Sequence, residues 1–166
     1  MDQNQLTAKN STIAGYAILF GVESVDLGDY TEVIEQGALD GVDLSKVKAL
    51  IQHDVQKLLG SVDAGNLYLE VDQKGLFFIL ELNDTTYATD LYKNIQERFL
   101  TQCSFGFTAA EDYWVGNVRH VVKIGKLYEI SVVAFPAYEE TEVVALRSQN
   151  SEMNRAKRVI QLLDFL

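Results

Sequence analysis

Short apolar runs rich in β-branched and aromatic residues, separated by turns that contain glycine or aspartate, fill the first half of the chain. Runs of this length with turn signals at close spacing are typical of the strands of a meander or a small barrel. The expected strands cover residues 12–20, 29–34, 47–54, 57–62, 67–71 and 76–82. Residues 36–44 contain two glycines and fit either a short helix or an irregular loop. The pattern therefore predicts a mainly β fold for this half.

The hydrophobic period changes after these strands. Leu91, Ile95 and Phe99 recur every four residues, with charged and amide side chains between them. The preceding residues 83–86, Asn-Asp-Thr-Thr, offer side chains that can cap a helix. We therefore expect one central amphipathic helix over about residues 86–100.

Strand periodicity returns after the helix. The expected strands cover residues 102–109, a hairpin arm at 113–124 that turns at Gly116-Asn117, and residues 126–135. The last of these ends at Pro136, the only proline of the chain, which has no N–H to donate to a ladder.

The composition becomes polar and then basic from Ser148 onward. Arg155, Lys157 and Arg158 accompany a loose apolar stripe, which predicts a C-terminal helix. Residues 1–147 are therefore assigned to one β-barrel domain, and residues 148–166 to a basic helical tail. The expected architecture is mainly β with peripheral helices, in which many closely spaced strands form a closed or nearly closed β-barrel.

Length and composition restrict the class of protein. The 166 residues, 48% of them hydrophobic, are enough for one folded domain with a substantial core. A net charge of −10 argues against nucleic acid as the main ligand. The single cysteine excludes an internal disulfide, and no apolar run approaches the roughly 20 residues of a membrane helix. With no secretory signal at the N-terminus, we expect a soluble cytosolic protein without a membrane partner.

Few residue combinations in this chain could carry chemistry. Two histidines and one cysteine give no zinc constellation. The sequence also contains no P-loop, dinucleotide fingerprint, lipase-type nucleophile elbow or zincin helix. Nucleophilic catalysis remains, in which a serine needs a base within hydrogen-bond reach and the base needs a third group to fix its tautomer.

The serine candidate lies in the run Thr-Gln-Cys-Ser-Phe-Gly-Phe. Strand alternation places Ser104 and Gly106 on one face, and Cys103, Phe105 and Phe107 on the other, which reads as core. Cys103 is chemically the better nucleophile but faces away from Ser104. Ser104 is therefore the expected nucleophile, and Gly106 is expected to leave space for an approaching substrate.

His53, at the end of a predicted strand, is the candidate base. Glu129 is the one charged residue of the apolar run 127–135, and a half-buried carboxylate requires a partner such as an imidazole. Asp54 could orient His53 instead, although adjacent strand residues point to opposite faces. His120, the other histidine, lies in mid-strand. Two structural interpretations stay open, because Glu129 could face solvent and Ser104 could bond a backbone carbonyl.

An ordered set of sequence blocks extends over residues 13–141. The blocks are Gly15-Tyr16-Ala17, Phe20, Ser24, Glu32, Gly37-Ala38, His53-Asp54, Leu59-Gly60, Gly75-Leu76, Ser104-Phe105-Gly106-Phe107, Leu127-Tyr128-Glu129-Ile130-Ser131-Val132-Val133 and Pro136-Ala137-Tyr138. In this order they resemble the HK97-type prohead (capsid maturation) serine proteases of tailed phages. Single blocks are weak signals, but the ordered set is specific.

The resemblance implies a serine endopeptidase with the fold of the herpesvirus assembly proteases, a closed β-barrel ringed by helices. Such enzymes cleave the scaffold protein or the scaffold-like segment of the major capsid protein, and often themselves, inside the immature capsid in the host cytoplasm. His53 and Ser104 fall on the family's base and nucleophile. Herpesvirus enzymes use a second histidine as the third member, where this chain offers Glu129, with His120 as runner-up. No metal or organic cofactor is implied, and a homodimer is expected by analogy.

Other classes of function remain open at this stage. The chain could be a non-catalytic scaffold-binding or structural module of the procapsid, although such a module has no need of both His53 and Ser104. It could also be an esterase-type hydrolase on the same barrel. The tail over residues 148–166 could serve docking, dimerisation or self-cleavage.

Overall fold

The computed structural model describes residues 11–147, a part of the chain that contains nine strands and one helix. The elements are β1 (Ser11–Leu19), β2 (Thr31–Ile34), β3 (Lys48–Ile51), β4 (Asp54–Ser61), β5 (Leu67–Val71), β6 (Gly75–Glu81), α1 (Thr86–Gln96), β7 (Gln102–Val115), β8 (Val118–Val133) and β9 (Glu142–Arg147). The mainly β prediction is confirmed. Residues 36–41 form turns and residues 42–44 are irregular, and β9 was not predicted.

The strands form two sheets rather than a closed barrel. One sheet has the order β5-β6-β1-β9; the other has the order β2-β8-β3-β4, with β7 paired to β8. Within residues 11–147 no ladder joins one sheet to the other, so the predicted closed β-barrel is wrong for this part of the chain. The physical reason is that the outer strands of the first sheet, β5 and β9, each pair only with a strand of their own sheet, so the edges that could close a barrel stay unjoined within these residues.

The predicted central helix is present but ends earlier than expected. Thr85 caps the N-terminus of α1, and its hydroxyl accepts a hydrogen bond from the Ala88 N–H at 3.3 Å. After Gln96 the chain leaves the helix through Arg98, whose φ of 62° ends the helical hydrogen bonding without a glycine. Phe99, expected on the buried stripe, is consequently 73% exposed. The predicted C-terminal helix lies in residues 148–166, outside the part that the structure describes, which contains α1 alone.

Strand β8 organises the second sheet. It pairs with β7 along one edge, and along the other edge it pairs in parallel with β2 near its start and with β3 near its end. Ile130 and Val132 face the main core, which they share with Ile13 and Phe78 of the first sheet. The alternate residues of the same part of β8 therefore project from the opposite face of the sheet.

No helix among residues 11–147 is long and apolar enough to cross a membrane.

The two predicted strands 113–124 and 126–135 are parts of longer ones, because β7 and β8 form a single hairpin that turns at residues 116–117. Several register shifts let this long hairpin bend along its length.

Candidate active site

The register of β7 against β8 brings four predicted or neighbouring positions onto one face of the sheet. Ser104 lies opposite Ser131, and Gly106 lies opposite Glu129. Side chains of directly opposed residues in an antiparallel pair project to the same side, with Cβ atoms about 5 Å apart. The Ser104 and Glu129 side chains therefore share the sheet face that points away from the core.

Cys103 faces the core, as the alternation predicts. It lies opposite Val132, is 1% exposed, and has its backbone N–H bonded to the Thr141 hydroxyl at 3.0 Å. Burial raises the pKa of the Cys103 thiol far above its ordinary value. Because the thiolate is the reactive form of cysteine, this side chain is unreactive as a nucleophile in the folded protein.

His53 lies in a turn rather than at the end of a strand. Strands β3 and β4 are joined by a two-residue turn, Gln52-His53, in which both residues have positive φ, 54° and 58°. This is the conformation of a type I′ hairpin turn, which normally carries Asn-Gly. For residues with a Cβ the left-handed conformation costs about 1–2 kcal/mol each, so neighbouring contacts must hold the turn in place.

Three hydrogen bonds to β8 and the segment after it hold this turn. The Gln52 N–H donates to the Val132 carbonyl at 3.0 Å, and the Gln52 Oε1 accepts from the Ala134 N–H at 3.2 Å. The His53 N–H donates to the Ser131 hydroxyl at 3.2 Å. The turn is thereby fixed over the end of β8 that lies beside Ser104.

The imidazole of His53 meets the carboxylate of Glu129. His53 Nδ1 lies 2.5 Å from Glu129 Oε1, with the histidine side chain 45% exposed and the glutamate side chain 13% exposed. An ionised carboxylate at this distance accepts a hydrogen bond, so we assign the Nδ1–H tautomer, in which Nδ1–H donates to Glu129 and Nε2 is left as the proton-accepting nitrogen. Glu129 therefore faces a partner and not open solvent.

Gly106 provides room for Glu129. A Cβ added at this glycine would lie 2.8 Å from Glu129 Oε1, closer than real Cβ contacts allow. The space beside Ser104 that we expected to admit substrate is thus occupied by the carboxylate that contacts His53.

Ser131 also belongs to this group of side chains, and sequence reasoning missed it. Its buried hydroxyl donates to Glu129 Oε2 at 2.6 Å while accepting from the His53 N–H. A signal was available, because residues two apart on a strand share a face and Ser131 follows Glu129 by two.

Ser104 presents a hydroxyl without a partner. The residue is 6% exposed, and within residues 11–147 no hydrogen bond is formed by its side chain, either to a backbone carbonyl or to His53. In the same part of the chain no fully buried side-chain oxygen or nitrogen lacks a partner, so the Ser104 oxygen must keep contact with solvent. Its closeness to His53 follows from the sheet register, since the facing Ser131 contacts both His53 and Glu129.

The other two candidates for the third position contact different residues. His120 Nδ1 lies 2.6 Å from Glu35 Oε1, and its ring stacks on Tyr113 with centroids 4.7 Å apart. His120 precedes Glu129 by nine residues on β8, which at about 3.3 Å per residue separates them by up to about 30 Å along the strand. Asp54 accepts a hydrogen bond from the Gln56 N–H within its own strand.

A cleft of about 550 Å³ borders Ser104. Its lining residues are Leu27, Tyr30, Glu32, Ser104, Phe105, Phe107, Thr108, Ala109, Arg119, Ala137 and Tyr138. Glu32 is buried in the cleft wall, where its carboxylate accepts hydrogen bonds from the Tyr138 hydroxyl at 3.0 Å and from Arg119 at 3.1 Å. The wall of the cleft therefore combines apolar and aromatic side chains with polar ones and with one buried ionic group.

Two pKa shifts follow from that ionic group. Burial, and then the negative charge of Glu32, raise the pKa of the Tyr138 phenol far above its ordinary value. Burial opposes the charge of Arg119, but its bonds to Asp112 and Glu32 outweigh this cost and raise the pKa of the guanidinium. Tyr138 thus stays a hydrogen-bond donor and Arg119 stays a cation.

The fold resembles solved proteases of Kaposi's sarcoma-associated herpesvirus. The complex with a hexapeptide phosphonate inhibitor has a TM-score of 0.55 and 9% identity, covering 94% of this chain and 77% of that one. A complex of the same viral protease with an allosteric inhibitor has a TM-score of 0.53 and 11% identity, covering 94% and 91%. A complex with a dimer disruptor has a TM-score of 0.52 and 10% identity, covering 94% and 90%.

Sequence comparison identifies the family, which the similarity of fold alone does not. None of the curated protein sequences matches the chain. The family described as caudovirus prohead serine proteases matches residues 1–156, nearly the whole chain. The sequence blocks, the herpesvirus-protease-like fold and this match agree, and the chain belongs to the caudovirus prohead serine protease family.

Proposed function

We propose that this chain is a serine endopeptidase of phage procapsid maturation, with Ser104 as nucleophile, His53 as general base and Glu129 as the third member. The observation that carries the proposal is the bond between His53 Nδ1 and Glu129, beside an unpartnered Ser104 hydroxyl on the same sheet face. This combination supplies a nucleophile, a base and a group that orients the base.

The expected reaction follows from these roles. Ser104 Oγ attacks the scissile carbonyl carbon, and His53 Nε2 takes the hydroxyl proton as the new C–O bond forms. The imidazolium that results is stabilised by the Glu129 carboxylate at Nδ1, and it then gives the proton to the leaving amine as the C–N bond breaks. Water, deprotonated by the same imidazole, hydrolyses the acyl-enzyme and regenerates the Ser104 hydroxyl.

The exposed edge of β7 favours a peptide as the substrate. Within residues 11–147, β7 forms ladder bonds only with β8, so its outer edge beyond Cys103 offers backbone donors and acceptors. An extended peptide can pair with such an edge, while alternate side chains enter neighbouring depressions such as the cleft beside Ser104. A simple ester could use the triad but not this edge.

The substrates that we propose are the scaffold protein and the scaffold-like segment of the major capsid protein, together with the chain itself. Activity would then take place inside the immature capsid in the host cytoplasm. Residues 1–147 would form the catalytic domain, and the basic segment 148–166 would serve docking, self-cleavage or the contacts of a homodimer.

The direct test is incubation of the purified chain with its cognate scaffold and capsid proteins. We expect specific cleavage products from the wild type and none from Ser104→Ala. Cleavage by Ser104→Ala would show that the assignment of the nucleophile is wrong.

Two further measurements separate the other function classes. A peptidyl phosphonate should label Ser104 if the site is catalytic and should label nothing if the chain is a structural module. Turnover of peptides but not of simple esters of similar size would distinguish a peptidase from an esterase, and preferred ester turnover would contradict the proposal.

A further inference from the structure

A buried serine, Ser131, forms hydrogen bonds with both members of the His53–Glu129 pair. Ser131 lies on β8 two residues after Glu129, so the two side chains share the face of the sheet that carries Ser104. Its hydroxyl donates to Glu129 Oε2 at 2.6 Å and accepts from the His53 N–H at 3.2 Å. One donor and one acceptor function of the hydroxyl are thereby used, which is within its normal capacity.

These contacts close a ring of three hydrogen bonds. His53 Nδ1 bonds Glu129 Oε1, Glu129 Oε2 bonds Ser131 Oγ, and Ser131 Oγ bonds the His53 backbone. Both carboxylate oxygens are therefore fixed, and the histidine is held at its ring and at its backbone. Rotation of the carboxylate would break two of the three bonds at once.

The three hydrogen bonds lie directly beside the proposed nucleophile. Ser131 is the residue directly opposite Ser104 in the ladder, so the base is tied to the strand position that faces the nucleophile. His53 also needs such a tie, because its left-handed backbone, with φ of 58°, is intrinsically unfavourable.

We propose that Ser131 is a positioning residue, which holds His53 and Glu129 in the geometry that the Ser104 hydroxyl requires. This inference rests on the proposed function. Ser131 does not touch the reacting atoms; it acts through the carboxylate and through the backbone of the base.

Labelling of Ser104 by a fluorescent fluorophosphonate measures the effect without knowledge of the natural substrate. Ser131→Ala should lower the second-order labelling rate about 10- to 100-fold, the usual range for loss of a hydrogen bond to a charged group. The matched control is Ser61→Ala, since buried Ser61 also donates to a nearby carboxylate, Asp63 Oδ1 at 2.7 Å, and accepts from a backbone N–H. This control should change the rate by less than about twofold.

A pair of isosteric variants separates the hydroxyl from packing. Ser131→Thr keeps the hydroxyl, and Ser131→Val replaces it with a methyl group of the same shape, so both impose the same extra volume. Threonine should label at least about tenfold faster than valine at equal folded fraction. Equal rates for the two variants would overturn the proposal, even if Ser131→Ala does not fold.

Nitrogen NMR of the two imidazoles tests positioning without any catalysis. In the wild type, neutral His53 should be the Nδ1–H tautomer, and in Ser131→Val it should move toward the mixture of a free imidazole, while His120, bonded to Glu35, stays unchanged. An unchanged His53 tautomer in Ser131→Val, at wild-type labelling rates, overturns the inference and leaves the proposed function intact. A shifted tautomer in a chain whose wild type never labels would reject the proposed function and keep the positioning role.

Discussion

The two histidines of this chain form nearly identical pairs in different surroundings. His53 lies 2.5 Å from Glu129, and His120 lies 2.6 Å from Glu35, in each case through Nδ1. Each pair includes one residue of β8, Glu129 near its end and His120 near its start. Distance and chemistry therefore do not distinguish them.

Their neighbours do. His53 projects from a strained turn, is half exposed at its ring and lies near an unpartnered Ser104 hydroxyl. His120 is held near the start of β8 with its ring stacked on Tyr113 at an interplanar angle of 3°. A histidine–carboxylate pair alone is thus no sign of catalysis, and it becomes a candidate where a half-exposed imidazole lies near an unpartnered hydroxyl.

The largest expected difference between the pairs comes from removing each histidine. His53→Ala should lower phosphonate labelling of Ser104 about 10²- to 10⁴-fold, because the proposed general base is lost. His120→Ala should leave the rate within about threefold while lowering the free energy of unfolding by about 1 kcal/mol through the lost ring contact. Comparable losses of labelling in the two variants would abolish the distinction.

Removing the charge of each carboxylate gives the next largest effect. Glu129→Gln should lower the labelling rate about 10- to 100-fold, because the amide no longer stabilises the imidazolium. Glu35→Gln is the matched control and should label at the wild-type rate. If Glu129→Gln keeps wild-type rates and a normal melting temperature, the third role belongs elsewhere.

Crowding the first pair should have a smaller effect. In Gly106→Ala the added methyl group meets Glu129 Oε1 at 2.8 Å, and we expect the displaced carboxylate to slow labelling about tenfold. Gly116→Ala, at a φ of 61° with open space around it, should cost about 1–2 kcal/mol of stability and leave labelling unchanged. A Gly106→Ala protein with wild-type labelling would show that the carboxylate position is not critical.

Cys103, on the opposite face of the sheet from the first pair, should not react with an alkylating reagent in the folded protein. Its raised pKa means that at pH 8 the folded protein holds the thiol protonated, whereas an ordinary cysteine with a pKa of about 8.5 is partly thiolate. Iodoacetamide followed by mass spectrometry should therefore leave Cys103 unmodified in buffer and alkylate it in urea. Alkylation of the folded protein at the rate seen in urea would mean that Cys103 does not face the core.

The sequence predicts most of the elements because their signals are local. Alternation locates the strands, the four-residue period locates α1, and Thr85 caps the helix within the expected segment. Closure of a barrel depends on ladders between strands far apart in sequence, and no local pattern reports it. The unpredicted β9 pairs with β1, which lies more than a hundred residues earlier, and so gave no hairpin signal.

At the candidate active site, the free energy of burying each side chain decided which residues the sequence could indicate. A lone carboxylate in an apolar strand is expensive, and this marked Glu129 as a residue with a partner. A buried serine with hydrogen-bond partners costs little free energy, so burial did not mark Ser131, and only its spacing of two residues from Glu129 indicated a shared face. The left-handed turn at His53 was equally invisible, since Gln-His is not a sequence that turn statistics associate with positive φ.

The turn at Gln52-His53 also limits how this loop can vary among related chains. The two-residue turn fixes the pairing of Ile51 with Asp54, and one inserted residue would move the imidazole away from Glu129 and replace the turn by another type. Loops elsewhere can lengthen at small entropic cost, but this one cannot. Among working relatives we therefore expect this connection to keep its length while its neighbours drift.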